Sequence, residues 1–297
     1  MGRCSLCPRR CGALRTADHG SGFCKMGEEP VVARAALHFW EEPCISGTRG
    51  SGTVFFTGCT LQCVFCQNHA ISLERAAGRR LTPRQLSDVF FRLIDQGAHN
   101  INLVSGAQFV PAIVEALSIR KVPVPVVYNS GGYESLEALR ALDGLVQIYL
   151  PDYKYDDPVL AENFSAAPDY GETARAAILE MVRQTGPCTF DEHGLLTRGT
   201  IVRHLLLPGH TRNSLAALDW LHGHLPDGVL VSLMGQYTPC VPLPQFPELS
   251  RRVTRREYEK VQNHLFALGL DGYVQELASA KKTYIPAIDW EGVADLP

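Results

Sequence analysis

Apolar and polar positions along the chain predict strands and helices in regular succession. Short apolar runs bounded by turn residues predict strands. These runs lie at 53–57, 100–104, 124–128, 145–150, 200–207 and 229–234. Apolar residues on one helical face predict helices at 83–96, 108–118, 133–142, 172–185, 212–224 and 254–268. A short strand at 272–277 is expected after the last helix.

Six strand-then-helix units predict an α/β fold with a parallel sheet and right-handed crossovers. The chain has no Gly-x-Gly-x-x-Gly fingerprint, which favours a partial (β/α)6, TIM-like barrel over a dinucleotide-binding fold. In such a barrel the chemistry lies at the carboxyl ends of the strands. We expect two parts: a small cysteine-rich metal-binding segment with its connector at 1–45, and the barrel with a C-terminal extension at 46–297.

Composition narrows the functional classes. Of 297 residues, 45% are hydrophobic and 20% are charged, as in a globular protein, and the net charge is -3. That charge argues against a broad nucleic-acid surface. No apolar run is long enough to span a bilayer, and no signal peptide is apparent, so no membrane association is expected. Seven of the ten cysteines fall in two clusters, which points to metal in a reducing cytoplasm rather than to disulfides.

The first predicted strand runs into a loop with three cysteines in the spacing C-x3-C-x2-C: Cys59, Cys63 and Cys66. Each thiolate of such a loop can reach a different iron of one [4Fe–4S] cluster. A complete cluster normally takes four thiolates, so a set of three leaves one iron open to an outside ligand. The alternatives are a zinc site, which usually needs four ligands in a structural role, or three core cysteines.

A second cysteine group opens the chain, with Cys4, Cys7 and Cys11 followed by Cys24. Four thiolates can close a tetrahedral zinc site or hold a second Fe–S cluster. So small a segment buries little core and would gain stability from metal. The alternative is a set of reduced, packed thiols, and the spacing does not choose between the two metals.

Polar residues follow the other predicted strands. Ser105 and Gln108 could accept hydrogen bonds from a cofactor or cap the next helix. Asn129 could bind a ribose hydroxyl or belong to a plain turn. Asp152 and Lys154 alternate with aromatic residues, so they share one face of an extended segment, where they could meet a charged cofactor or form a surface ion pair.

The fifth strand carries Arg203 among apolar residues. A buried arginine must be paired, so a carboxylate is expected beside it, either from a ligand or from Asp152. His204, on the opposite face, is expected to be structural. After the sixth strand, Gln236 and Tyr237 are expected to line the pocket.

The cysteine loop resembles that of the radical S-adenosylmethionine (SAM) superfamily. Nearly the whole chain is similar to the branch of the pyruvate formate-lyase activating enzymes, and above all to the PflX-like Fe–S proteins. The matching segments are Glu-Glu-Pro, Cys-Val-Phe-Cys-Gln-Asn, Tyr-Asn-Ser-Gly-Gly-Tyr-Glu, Leu-Pro-Asp-Tyr-Lys-Tyr and Leu-Leu-Pro-Gly-His. The chain departs from the superfamily at 105–108, where Gly-Gly-Glu is common and no carboxylate is present here.

The resemblance implies that SAM binds the open iron and is cleaved reductively to a 5′-deoxyadenosyl radical. It places Asp152, Lys154 and Arg203 at the reacting centre and Phe65 beside the adenine. The implied target is a glycyl radical enzyme or another protein, with flavodoxin or ferredoxin as electron donor. A small molecule or peptide substrate stays an alternative, as does a non-catalytic Fe–S carrier or sensor. The resemblance does not supply the substrate.

Overall fold

The computed structural model describes residues 3–74, 78–275 and 288–294. Its strands are β1 (Val31–His38), β2 (Ser51–Phe56), β3 (Arg79–Arg80), β4 (Ile101–Val104), β5 (Val126–Ser130), β6 (Ile148–Pro151), β7 (Thr189–Phe190), β8 (Leu196–Leu205), β9 (Leu230–Met234) and β10 (Gly272–Val274). Its helices are α1 (Pro43–Ser46), α2 (His69–Ser72), α3 (Pro83–Asp95), α4 (Val110–Ile119), α5 (Leu136–Ala141), α6 (Pro158–Ser165), α7 (Tyr170–Thr185), α8 (Thr211–His224) and α9 (Arg255–Leu268).

The strands form one mostly parallel sheet. Strands β2, β4, β5, β6, β8, β9 and β10 are parallel neighbours in that order. β1 adds antiparallel to β2, β3 to β1 and β7 to β8. The predicted α/β barrel-type fold is therefore confirmed. The predicted last strand is observed at 272–274, and residues 276–277 lie outside the described residues.

The helices cover the sheet with their apolar faces. α3 begins at Thr82, whose side chain accepts from the Gln85 N–H while Gln85 caps the Thr82 N–H in return. This capping box satisfies two backbone donors that a helix start leaves without partners. α3 then buries Leu86 and Phe90 in a core that also contains Phe56 of β2. The sequence signals for this helix and its orientation therefore agree with the structure.

Several element boundaries differ from the sequence predictions, and some elements were not predicted. The third parallel strand, β5, begins at 126 instead of 124 and continues through Ser130, so Asn129 lies in the strand rather than in a turn. Pro125 has no N–H for the ladder, which delays the strand start. Helix α6 was not predicted, although Asp157 followed by Pro158 is a typical N-cap and first-turn pair.

The N-terminal segment packs directly on the barrel. Ser135 donates from Oγ to the Leu6 carbonyl at 2.7 Å, and the Met26 side chain belongs to the main core cluster. The following strand, β1, is part of the sheet through its pairing with β2. The domain boundary at residue 45 stays a prediction. No helix among the described residues is both long and apolar enough to cross a membrane.

Candidate active site

A cavity of about 210 Å³ opens at the carboxyl ends of the parallel strands. Its walls come from the end of β1 and the residues that follow it, from the loop after β2, and from the ends of β4, β5, β6, β8 and β9. The polar and metal-ligating side chains in these walls include Glu41, Cys59, Cys63, Cys66, Ser105, Asn129, Asp152, Lys154, Arg203 and Gln236. The cavity thus lies where the sequence predicts the chemistry, at the strand ends.

The loop after β2 brings three thiols to one side of this cavity. Its entry is fixed at Gly58, which has φ +81°, and a Cβ there would lie 2.5 Å from Met26 Cγ. Two backbone N–H groups, of Leu61 and Gln62, point at the Cys59 sulfur from 3.3 and 3.5 Å. Such N–H contacts favour a thiolate, and contacts of this kind tune the potential of a bound cluster.

The thiols suit a cluster better than a single ion. Burial raises the pKa of the Cys59 thiol to about 12 and also raises that of Cys66, so metal binding must displace these protons. Across the described part of the chain, no three His, Cys, Asp or Glu side chains converge on a position for one ion. Ligands of a cubane cluster need not converge, because each thiolate binds a different iron. The donor set therefore fits a cluster with one open iron.

Opposite the thiols, four charged side chains form one network. Arg203 donates from Nε to Asp152 Oδ1 at 2.9 Å and from Nη1 to Glu41 Oε2 at 3.2 Å. Its Nη2 donates to Asn129 Oδ1 at 2.6 Å. Lys154 Nζ donates to the other oxygen of Asp152. The predicted pairing of Arg203 with a carboxylate is present, and the extended backbone after β6 bridges to β8 at Asp152 and Arg203.

The network keeps Asp152 and Lys154 charged despite burial. Although burial alone would raise the pKa of Asp152, Arg203 and Lys154 hold it below its usual value. Burial lowers the pKa of Lys154, but Asp152 and Cys63 outweigh burial and raise it. Burial raises the pKa of Glu41, with Arg203 acting in the opposite direction. The cavity wall therefore presents two cations and an ionised Asp152, beside a Glu41 carboxyl that is more easily protonated.

The aromatic residue of the cysteine loop lies inside the cavity wall. Phe65 is buried and makes edge-on contacts with Tyr155, Phe164 and Tyr237, at centroid distances of 6.3, 6.0 and 6.1 Å. Tyr237 also lines the cavity, as the sequence predicts. Phe65 and Tyr237 give the cavity wall an apolar surface that a flat heterocycle could contact.

Ser105 and Gln108 are placed differently. Ser105 lines the cavity. Gln108 lies outside this lining: its Nε2 donates to the carbonyls of Thr57, Gly58 and Ser105 at 3.2, 3.1 and 2.9 Å. Gln108 therefore connects the ends of β2 and β4 and does not line the cavity. Its contact with a cofactor stays a prediction.

Sequence reasoning missed two residues of the site. Glu41 falls in the predicted connector and in the Glu-Glu-Pro match, neither of which gives it a role, yet it accepts from Arg203, Asn129 and Asn102. Ser165, at the end of α6, donates to the Cys63 sulfur at 3.1 Å. The residue type signals neither role, since both contacts join parts of the chain more than 100 residues apart.

The N-terminal cysteines lie apart from this cavity. All four line a second, smaller cavity. Thr60 of the cysteine loop and Gln108 form part of the same wall. The structure therefore brings the two predicted cysteine groups into neighbouring but separate sites.

No protein-family model matches the chain. An uncharacterised protein of Methanocaldococcus jannaschii is 29% identical over 266 residues, which make up 86% of this chain and 72% of that protein.

Two solved structures share the architecture. A radical SAM methyltransferase from Sphaerobacter thermophilus aligns with a TM-score of 0.52 at 16% identity, over 76% of this chain and 66% of that one. SuiB from Streptococcus suis, bound to the precursor peptide SuiA, aligns with a TM-score of 0.50 at 12% identity, over 75% of this chain and 48% of that one. The chain thus spans less than two thirds of each of these two proteins.

Proposed function

We propose that this chain, which has the fold of the radical SAM enzymes, is itself a radical SAM enzyme. The observation that carries the proposal is a shared cavity. Cys59, Cys63 and Cys66, in the loop after β2, line one part of this cavity. The charged network at the ends of the later strands lines another part. These three thiols would hold a [4Fe–4S] cluster, which when reduced would supply the electron for the cleavage of bound SAM and so for hydrogen abstraction from a substrate.

The protein's own residues hold and tune this centre. The N–H groups of Leu61 and Gln62 and the Ser165 hydroxyl all point at cysteine sulfurs. Donors of this kind stabilise the thiolate form and set the ease of reduction. Phe65 supplies an apolar surface for the adenine.

The charge of the network matches SAM. The wall pairs two cations, Lys154 and Arg203, with two carboxyl groups, Asp152 and Glu41. Such a wall suits a ligand that carries both signs, as SAM does with its carboxylate, ammonium and sulfonium groups. A phosphate-rich ligand would instead call for a surplus of cations. Lys154 lines the cavity beside Asp152, so its ammonium group can donate to a ligand carboxylate there.

We propose a protein or peptide as the substrate, with activation of a glycyl radical enzyme as the leading reaction. Trp40 supports this proposal, because it lines the cavity while it stays 58% exposed. An exposed aromatic side chain at a cavity rim is a typical contact point for a polypeptide. Deuterium transfer from labelled candidate substrates into 5′-deoxyadenosine would identify the substrate, and transfer only from small molecules would overturn this part of the proposal.

The proposal also names the setting of the reaction. Each turnover needs one electron from outside, so we propose flavodoxin or ferredoxin as the donor. We place the protein in the cytoplasm, where thiols stay reduced and available to iron.

The cluster assignment is tested by electron paramagnetic resonance. In the wild-type protein, anaerobically reconstituted and reduced, SAM should change the cluster signal. In a Cys59/Cys63/Cys66→Ala variant no SAM-sensitive signal should remain, whereas a Cys188→Ala/Cys240→Ala control should behave as wild type. A SAM-sensitive cluster in the triple variant would overturn the assignment.

A further inference from the structure

The N-terminal segment folds into a compact loop that collects four thiols. The Cys4 N–H donates to the Ala13 carbonyl at 3.0 Å and the Gly12 N–H donates back to the Cys4 carbonyl at 3.1 Å. Gly22 gives the Cys11 sulfur its room, since a Cβ at that glycine would lie 2.8 Å from the sulfur. Four cysteines are thereby held around one small cavity: Cys4, Cys7, Cys11 and Cys24.

A buried cation faces the same cavity. Arg15 is 8% exposed and lines the cavity with the cysteines. Its Nη2 donates to the carbonyls of Gly27 and Gln108, its Nη1 lies 3.9 Å from the Cys4 sulfur, and its Nε is buried without a partner. No carboxylate of the described chain forms an ion pair with it.

A buried guanidinium without a carboxylate needs another source of negative charge. Four thiolates bound to a metal centre provide this negative charge, because their four negative charges exceed the positive charge of the centre. No three of these cysteines converge on one position for a single ion, as is also true of Cys59, Cys63 and Cys66. A cubane cluster accepts this arrangement, since each thiolate binds its own iron.

We propose that Cys4, Cys7, Cys11 and Cys24 hold a second iron–sulfur cluster, with Arg15 as its buried counter-ion. Four protein ligands complete the coordination of this cluster and leave no iron open to SAM. The proposal does not rest on the activity proposed above, because it depends only on the N-terminal residues.

The second cluster would also stabilise the loop that carries Cys59, Cys63 and Cys66. Arg9 donates from Nε to the Thr60 carbonyl at 3.0 Å and from Nη2 to the Ser165 carbonyl at 2.7 Å, while its guanidinium lies 4.0 Å from the Phe23 ring centre. Gln62 donates from Nε2 to the Phe23 carbonyl at 2.8 Å. The segment ordered by the cluster therefore contacts the loop that carries Cys59, Cys63 and Cys66.

The test isolates the second site in a Cys59/Cys63/Cys66→Ala variant, reconstituted anaerobically with iron and sulfide. We expect about four irons and about four sulfides per chain, with a reduced signal that SAM does not change. Adding Cys188→Ala and Cys240→Ala should leave this content unchanged, while adding Cys7→Ala and Cys24→Ala should abolish it. About one zinc per chain in place of iron, or a metal-free protein whose four N-terminal thiols alkylate freely, would overturn the proposal.

Arg15 has a separate test in the same background. A nearby cation stabilises the more negative, reduced cluster, so Arg15→Met should shift the midpoint potential to a more negative value, and Arg15→Lys should shift it less. A merely structural arginine would leave the potential of the assembled cluster unchanged in both variants. That result would remove Arg15 from the proposal. If Arg15→Met fails to assemble, the comparison of Arg15→Lys with the parent variant decides the question.

Discussion

Replacing Arg203 with methionine removes a buried charge and keeps most of the side-chain volume. The Arg203 side chain is 13% exposed and contacts three partners, Asp152, Glu41 and Asn129. Breaking a buried ion pair from one side typically costs about 3–5 kcal/mol, because the other charge stays buried. Lys154 still neutralises Asp152 in the variant. The carboxyl that loses its direct ion-pair partner is Glu41, and the neighbouring buried Glu42 also loses the cation that opposes the rise of its pKa.

We expect a cost near the lower end of this range, about 3 kcal/mol at neutral pH. Burial already raises the pKa of Glu41, and losing Arg203 removes the cation that opposes this rise. In the variant Glu41 can bind a proton instead of remaining an uncompensated anion. The destabilisation should therefore be smaller at pH 5.5 than at pH 7.5.

Anaerobic urea unfolding followed by tryptophan fluorescence measures the effect. The matched control is Arg183→Met, which also removes a cation that pairs with two carboxylates, Asp143 and Glu180, but from a side chain that is 57% exposed. Exposed pairs contribute little, so the control should unfold almost as the wild type does. Glu41→Gln added to Arg203→Met should recover much of the loss. Equal midpoints for Arg203→Met and Arg183→Met would refute the reasoning.

Three further predictions address the backbone, acid stability and SAM. Gly132→Ala should destabilise the protein far more than Gly144→Ala in urea unfolding. Both glycines have φ +79°, but a Cβ at Gly132 would lie 2.2 Å from the Asp152 carbonyl oxygen, whereas a Cβ at Gly144 would meet open space. Equal destabilisation by the two substitutions would contradict this. Burial lowers the pKa of His204 to about 4, below its unfolded value of about 6.5. The free energy of unfolding should therefore fall by up to about 3 kcal/mol as the pH drops from about 6.5 to about 4, and His204→Asn should make it depend less on pH in this range. Lys154→Ala should weaken SAM binding by about 1.5–3 kcal/mol, as measured by equilibrium dialysis, and unchanged binding would place the SAM carboxylate elsewhere.

Much of the fold could be predicted because it depends on local signals. The apolar runs at 53–57 and 200–207 are observed as β2 and β8, and the Thr82-Pro83 start of α3 is where the sequence places it. β8 begins earlier than predicted, at Leu196, because its first residues pair with β7. That pairing has no signal in the apolar pattern of the strand itself.

The cavity was predictable only in part. Parallel strand ends meet at one edge of a sheet, so Asp152, Lys154 and Arg203 could be placed together from strand order alone. Glu41 could not, because its partner Arg203 lies 162 positions away and its segment, with a proline two residues later, is typical of a turn. Arg15 was missed because the sequence does not show that it is buried without a carboxylate.

The formation of 5′-deoxyadenosine tests the central claim most directly. Reconstituted wild-type protein, reduced by dithionite in the presence of SAM, should release 5′-deoxyadenosine and methionine in equal amounts. The Cys59/Cys63/Cys66→Ala variant should release neither, while the Cys188→Ala/Cys240→Ala control should match the wild type. Equal product from the triple variant, or none from wild-type protein with its cluster intact, would contradict SAM cleavage at this cysteine loop.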